Sequence, residues 1–188
     1  ANFNNSIGIG YRALYNNTAD NNIAIGYDAG FALTSGVDNT AIGKSAMSSM
    51  LGGAYNIALG SNAMATYTGD DGNNAGTKNI AIGISSMEAF NGGTGNVHDN
   101  TRFDRNIALG YNSFRGGDFN NAEKVVTDNI AIGDEALNST GANGQVGTIA
   151  IGSNALTALT SGAGNTAVGY EAMSTADGGE EGNAVFGY

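Results

Sequence analysis

The chain contains no cysteine, no proline and no tryptophan among its 188 residues. Without cysteine there is neither a disulfide framework nor a thiolate metal site, though the redox compartment is left open. Histidine occurs once, at His98, with no paired nucleophile beside it. Positive charge is scarce: 7 Lys and Arg stand against 17 Asp and Glu, a net charge of −10. That balance argues against attraction to nucleic acid or to an anionic membrane. No apolar run approaches the roughly 18 residues of a membrane-spanning helix, and no signal peptide opens the chain, so no membrane insertion is expected. Ala1 in place of an initiating Met suggests a processed or excised piece.

Glycine, by contrast, is abundant, at 31 of 188 residues. It recurs in register. Aligned on Gly10, Gly26, Gly43, Gly60, Gly83, Gly110, Gly133, Gly152, Gly169 and Gly187, the chain shows ten copies of one phrase, Asn-x-Ala-Ile-Gly, typified by Asn22-Ile23-Ala24-Ile25-Gly26. The residue before the glycine is always apolar, and Ala precedes it in eight copies, Gly8 and Val185 being the exceptions. Asn opens eight copies, with Ser6 and Thr148 in the other two. Ala or Ser follows three residues after the glycine, as at Ala46, Ala63, Ser86 and Ala136, and then a larger apolar residue such as Met47, Phe114 or Leu137, with Gly30 the exception. Such self-similarity is the mark of a repeat architecture, and its strict register argues against disordered low complexity.

Each copy reads as a short strand, a glycine corner and a second short strand. The apolar spacing is two rather than 3.6, and glycine interrupts every copy, so no helix of useful length fits. A single copy cannot bury its aliphatic residues; stacked copies can. The expectation is an all-β parallel β-solenoid of about ten coils, one repeat domain over 1–188, forming a rod on the order of 45 Å long at the inter-strand spacing.

Side chains alternate along a strand, so Ile23 and Ile25 share one face and Ala24 takes the other. Both faces are apolar, and strands apolar on both faces are usually buried on both. The sequence reading puts the Ile column inside each coil. It lays the Ala column (Ala24, Ala58, Ala81, Ala131, Ala167) against identical chains around a symmetry axis, a trimer. With Ile25 and the corner glycines Gly26, Gly60, Gly83, Gly133 and Gly169, these residues are the expected structural core. The Asn column (Asn22, Asn39, Asn56, Asn79) is expected to bond along the stack as a ladder.

Between the copies lie variable loops. The short ones, such as 34–38 and 160–164, read as turns. The longer ones, 67–78, 88–105, 115–128 and 138–147, are where a solenoid tends to carry recognition. His98, Arg102 and Arg105 sit in a mixed-charge loop and are candidate ligand contacts, though a solvated loop explains them equally. Tyr27, Tyr111 and Tyr170 belong to a row that follows the glycine and could stack on sugars, or the rings could pack on one another. Asp70-Asp71-Gly72 and Asp177-Gly178-Gly179-Glu180-Glu181 offer oxygen ligands for Ca²⁺, but neither has the spacing of a calcium loop, and solvated turns are the preferred reading. No catalytic, cofactor or metal residue is assigned. Glu88, Asp134 and Glu135 are available for a polysaccharide-cleaving solenoid, but their spacing brings no two carboxylates together.

The phrase Asn-Ile-Ala-Ile-Gly-x-x-Ala-Leu at 129–137 resembles the head repeats of trimeric autotransporter adhesins of the YadA type, and also the β-roll repeats of bacteriophage tail-fibre shafts. The second is nearer, because Ser/Thr/Gly phrases such as Leu159-Thr160-Ser161-Gly162 follow the core. The resemblance covers about residues 5–188. It implies a left-handed parallel β-roll, three chains around an axis, and an extracellular place on a cell surface or virion. The sequence thus leads to a non-catalytic structural or adhesive fibre protein that displays loops to a host glycan or protein. Neither end shows a polar cap, which suggests a segment of a longer fibre. The alternative is an extracellular filament subunit stacking head to tail.

Overall fold

The computed structural model describes residues 5–66, 76–90, 102–117, 124–140 and 144–188, and over these the chain is an all-β parallel solenoid. The strands are β1 (Ile7–Ile9), β2 (Ile23–Ile25), β3 (Thr40–Ile42), β4 (Ile57–Leu59), β5 (Ile80–Ile82), β6 (Arg102–Asp104), β7 (Ile107–Leu109), β8 (Val125–Thr127), β9 (Ile130–Ile132), β10 (Gln145–Val146), β11 (Ile149–Ile151), β12 (Thr166–Val168) and β13 (Ala184–Phe186). Ten of them form one sheet in the order β1-β2-β3-β4-β5-β7-β9-β11-β12-β13. Each is the tripeptide before a corner glycine, paired in parallel with the next copy, so that Ala24, Ala41, Ala58 and Ala81 are successive partners. The register read from the glycines is the register of the sheet. No helix occurs among the described residues.

The two faces of this sheet are the reverse of the sequence expectation. Ala24, Ala58, Ala81, Ala131 and Ala167 are fully buried, and they are buried inside their own coil. The isoleucines flanking them point outward: Ile9, Ile42, Ile57 and Ile82 are exposed, and Ile25 is half-buried. The reason lies across the coil. Four residues after six of the glycines stand Met47, Met64, Met87, Phe114, Leu137 and Leu156, all buried. Leu33, Met50, Phe90 and Leu159, seven residues after the glycine, are buried as well. Large side chains from that side fill the interior, and only a methyl group fits opposite them at close-packed density. Ile on the inner face would overfill the coil.

The return segment also differs from expectation, because it is no strand. Two consecutive residues, such as Ala46 with Met47 and Ala136 with Leu137, both point inward, which an alternating strand cannot do. Left-handed residues at alternate positions achieve this, for example Ser45 and Met47 at φ of 58° and 51°. The coils remain bonded to one another here: Met47 N–H donates to Ala63 O at 3.0 Å and Leu137 N–H to Ala155 O at 2.9 Å.

The corner needs glycine for two separate reasons. Gly133 sits at φ +137°, and a Cβ there would lie 2.5 Å from the carbonyl oxygen of Gly152 in the next coil. Both the dihedral and the coil-to-coil approach are closed to any side chain.

The Asn ladder forms as expected. Asn22, Asn39, Asn56, Asn79, Asn106 and Asn129 are buried. The Oδ1 of each accepts from the backbone N–H of the next copy and, within the unbroken run, from that copy's Nδ2 as well, as Asn56 Oδ1 does from Asn79 at 2.9 and 3.1 Å. The Nδ2 also donates to a loop carbonyl, Gly53 O for Asn39 and Gly76 O for Asn56. The ladder therefore ties each strand both to its neighbour and to the loop that closes the coil.

Three of the longer insertions end in structure rather than loop. β6, β8 and β10 pair in parallel as a second sheet, in the order β10-β8-β6. Phe103, Val126 and Gln145 occupy successive buried positions in it. Phe90 meets Phe103 and Phe114 edge to face, with ring centroids at 5.4 and 5.1 Å.

Candidate association surface and contact residues

The outward face of the ten-stranded sheet carries two aliphatic columns. One runs Ile7, Ile23, Thr40, Ile57, Ile80, Ile107, Ile130, Ile149, Thr166, Ala184; the other Ile9, Ile25, Ile42, Leu59, Ile82, Leu109, Ile132, Ile151, Val168, Phe186. None of these positions is charged, and only the two threonines are polar. At the usual spacing the face is on the order of 45 Å long and two side chains wide. An uncharged apolar face of that extent makes this sheet the candidate association surface. The inner columns cannot shield it, because they are already occupied in the coil. The sequence signal was present in the apolar character of both strand faces, but it belongs to the isoleucines and not to the alanines.

Along one edge of the face runs the tyrosine row. Tyr27 stacks on Tyr11 with ring centroids at 5.1 Å, and Tyr170 on Tyr188 at 5.7 Å. Near-parallel rings that close must overlap, so each covers part of the other's face, and less ring is free to stack on a sugar. Tyr111, half exposed, lies between the copies that place Ile84 and Asp134 at its position. A hydrogen bond with Glu171 raises the Tyr170 hydroxyl above its ordinary pKa.

The charged candidates are engaged within the chain. Arg105 grips Asp128 with two bonds of 2.6 and 2.7 Å, spanning neighbouring coils. Its donation holds the Asp128 carboxyl below the usual range. Arg102 bonds Asp104 at 3.0 Å, and the other Asp104 oxygen accepts from Thr77 N–H and Oγ1. A matching clamp escaped the sequence reading: Arg12 donates to both oxygens of Asp28 at 2.7 and 2.6 Å while its guanidinium lies over the Phe31 ring at 4.5 Å. Its bond lowers the Asp28 carboxyl. The hint was that Arg12 and Asp28 hold the same place, two residues after the glycine, in adjacent copies.

His98, Asp70 and Asp71 lie outside the described residues. In the second acidic turn, Glu180 turns back to accept from Gly178 N–H at 2.9 Å, a local turn bond. Among the described residues no three His, Asp or Glu side chains gather as a metal would require. Glu88 faces Arg115 at 3.5 Å, and it lies two coils from Asp134 and Glu135 along the stack. No helix of the described residues is long and apolar enough to cross a membrane. Comparison with known proteins finds no matching family model, no matching curated protein and no matching solved structure. The fold and its surface chemistry are therefore the ground for a functional reading.

Proposed function

We propose that this chain is the rod of a non-catalytic surface fibre, assembled from parallel copies of itself, three around an axis, through its isoleucine face. The uncharged aliphatic face is the observation that carries this reading. A sheet apolar on both sides belongs in a structure that covers both sides. The coil interior covers one, and a second copy offers a flat surface of matching chemistry for the other. In that arrangement the surfaces that the isoleucine contacts leave uncovered meet a host glycan or protein outside the cell. The rod supplies rigidity and spacing, and the loops supply contact.

Native mass measurement tests the assembly. A mass of three chains is expected, and Ile82→Lys with Ile132→Lys should reduce it to one. A wild-type monomer would overturn the reading, while sizes that grow without limit as concentration rises would favour the head-to-tail filament. Binding to a glycan array without release of product would support attachment over cleavage.

A further inference from the structure

The buried side chains of the Asn ladder are hydrogen-bonded along the stack, but one stretch of the interior departs from that rule. Thr140, Gln145 and Thr148 are each completely buried, and the Thr140 hydroxyl, both amide atoms of Gln145 and the Thr148 hydroxyl have no hydrogen-bond partner. Their counterparts in other coils show what is unusual. The place of Thr140, seven residues after the corner, holds Leu33, Met50, Phe90 or Leu159 in four other coils and the hydrogen-bonded Asn17 in the first, and the place of Gln145 holds Val126 and Phe103 in the paired strands. Thr148 takes an Asn position. Its backbone N–H still donates to Asn129 Oδ1 at 2.9 Å, but its side chain continues the ladder to neither neighbour.

Four orphaned polar atoms in so short a stretch are far from the norm, since buried donors and acceptors are almost always paired. Thr140 and Gln145 close one coil, and Thr148, three residues after Gln145, opens the next, so the three are near neighbours along the chain. Replacing Leu or Phe by Thr, with Gly117 at the equivalent place one coil before, removes side-chain volume at that level. We propose that this stretch is a buried hydration site, holding ordered water bound by the Gln145 amide and the Thr140 and Thr148 hydroxyls. The guest must both donate and accept, because Gln145 offers Nε2 as donor and Oε1 as acceptor. It must be neutral, since no charged side chain faces it among the described residues. Water meets both conditions and is the usual occupant of such sites.

A crystal structure at about 1.5 Å resolution tests this directly. Expected is at least one density peak within hydrogen-bond distance of Gln145 and of a threonine hydroxyl. The double variant Thr140→Leu, Gln145→Val, which copies neighbouring coils, should lose that peak while the thermal midpoint shifts by less than about 3 °C, because groups already satisfied by water gain little from removal. A dry interior with these side chains paired to protein, or a rise of about 10 °C or more in the variant, as expected on deleting unsatisfied groups, would overturn the proposal.

Discussion

Asn56 donates both its backbone N–H and its side-chain Nδ2 to a single oxygen, Oδ1 of Asn39, each at 3.0 Å. Its own Oδ1 receives the same pair of bonds from Asn79. A buried amide that accepts from above, donates below and reaches the loop carbonyl of Gly76 is the point where strand, stack and loop are joined.

Asn56→Ala removes the side-chain bonds to Asn39, Gly76 and Asn79 at once, keeping only the backbone N–H bond to Asn39, and leaves buried donors and a buried carbonyl behind. A loss of about 3 kcal/mol in unfolding free energy is expected, since unsatisfied buried groups cost more than the bonds themselves contribute. Urea denaturation measures it, and a loss under about 1 kcal/mol would show that the ladder is ornamental to stability.

Thr148→Asn addresses the single place where the ladder is interrupted between Asn22 and Asn183. By register its amide would donate to Asn129 Oδ1 and to Gly162 O and would accept from Asn165. A gain of about 1 kcal/mol is expected in the same denaturation experiment. A loss would mean that the local coil geometry excludes the longer side chain.

Gly133→Ala and Gly147→Ala contrast a corner glycine, closed by dihedral and by collision, with a left-handed turn glycine that has open space. Both glycines have positive φ, but a Cβ at Gly147 meets nothing within 4 Å, whereas at Gly133 it meets the backbone of Gly152. The first variant is expected to fold poorly or to lose more than about 3 kcal/mol, and the second to lose about 1 kcal/mol. Equal losses would remove close coil approach as the reason for the glycine column.

Acid should loosen the clamps between coils. Asp28 and Asp128 are lowered chiefly by hydrogen bonds from Arg12 and Arg105. A carboxyl lowered in the folded state contributes stability that is fully present above its unfolded value and is lost as pH falls through its folded value. The thermal midpoint should therefore stay level from about pH 7 to pH 5 and decline below about pH 4. In a protein carrying Arg12→Gln and Arg105→Gln that decline should be shallower, by a small margin because the pairs are exposed. An unchanged acid limb would assign it to other carboxylates.

The repeat phrase made much of the fold legible before any coordinates. The corner glycine marks each turn of the chain, the tripeptide before it gives each strand of the main sheet, and Asn22 with its successors gives the ladder, because all three depend on local spacing alone. The second sheet was hidden: Arg102–Asp104, Val125–Thr127 and Gln145–Val146 share no phrase, and they pair only because the glycine-registered strands bring their coils to the same level. Arg102 and Arg105 were legible as charged candidates, but not their engagement with Asp104 and Asp128, which depends on which coil lies next to which.

What the amino-acid order determined by itself is periodicity: where each coil starts, where it turns, and that both strand faces are apolar. What only the tertiary structure decided is the direction those faces take. Ile-Ala-Ile can be inserted into a coil either way round. The choice falls to the side chains arriving from the far side, and Met47, Phe114 and Leu137 leave room for a methyl group and nothing larger. Packing volume, a property of the closed coil, therefore turns the isoleucines outward and gives the rod its aliphatic outer face.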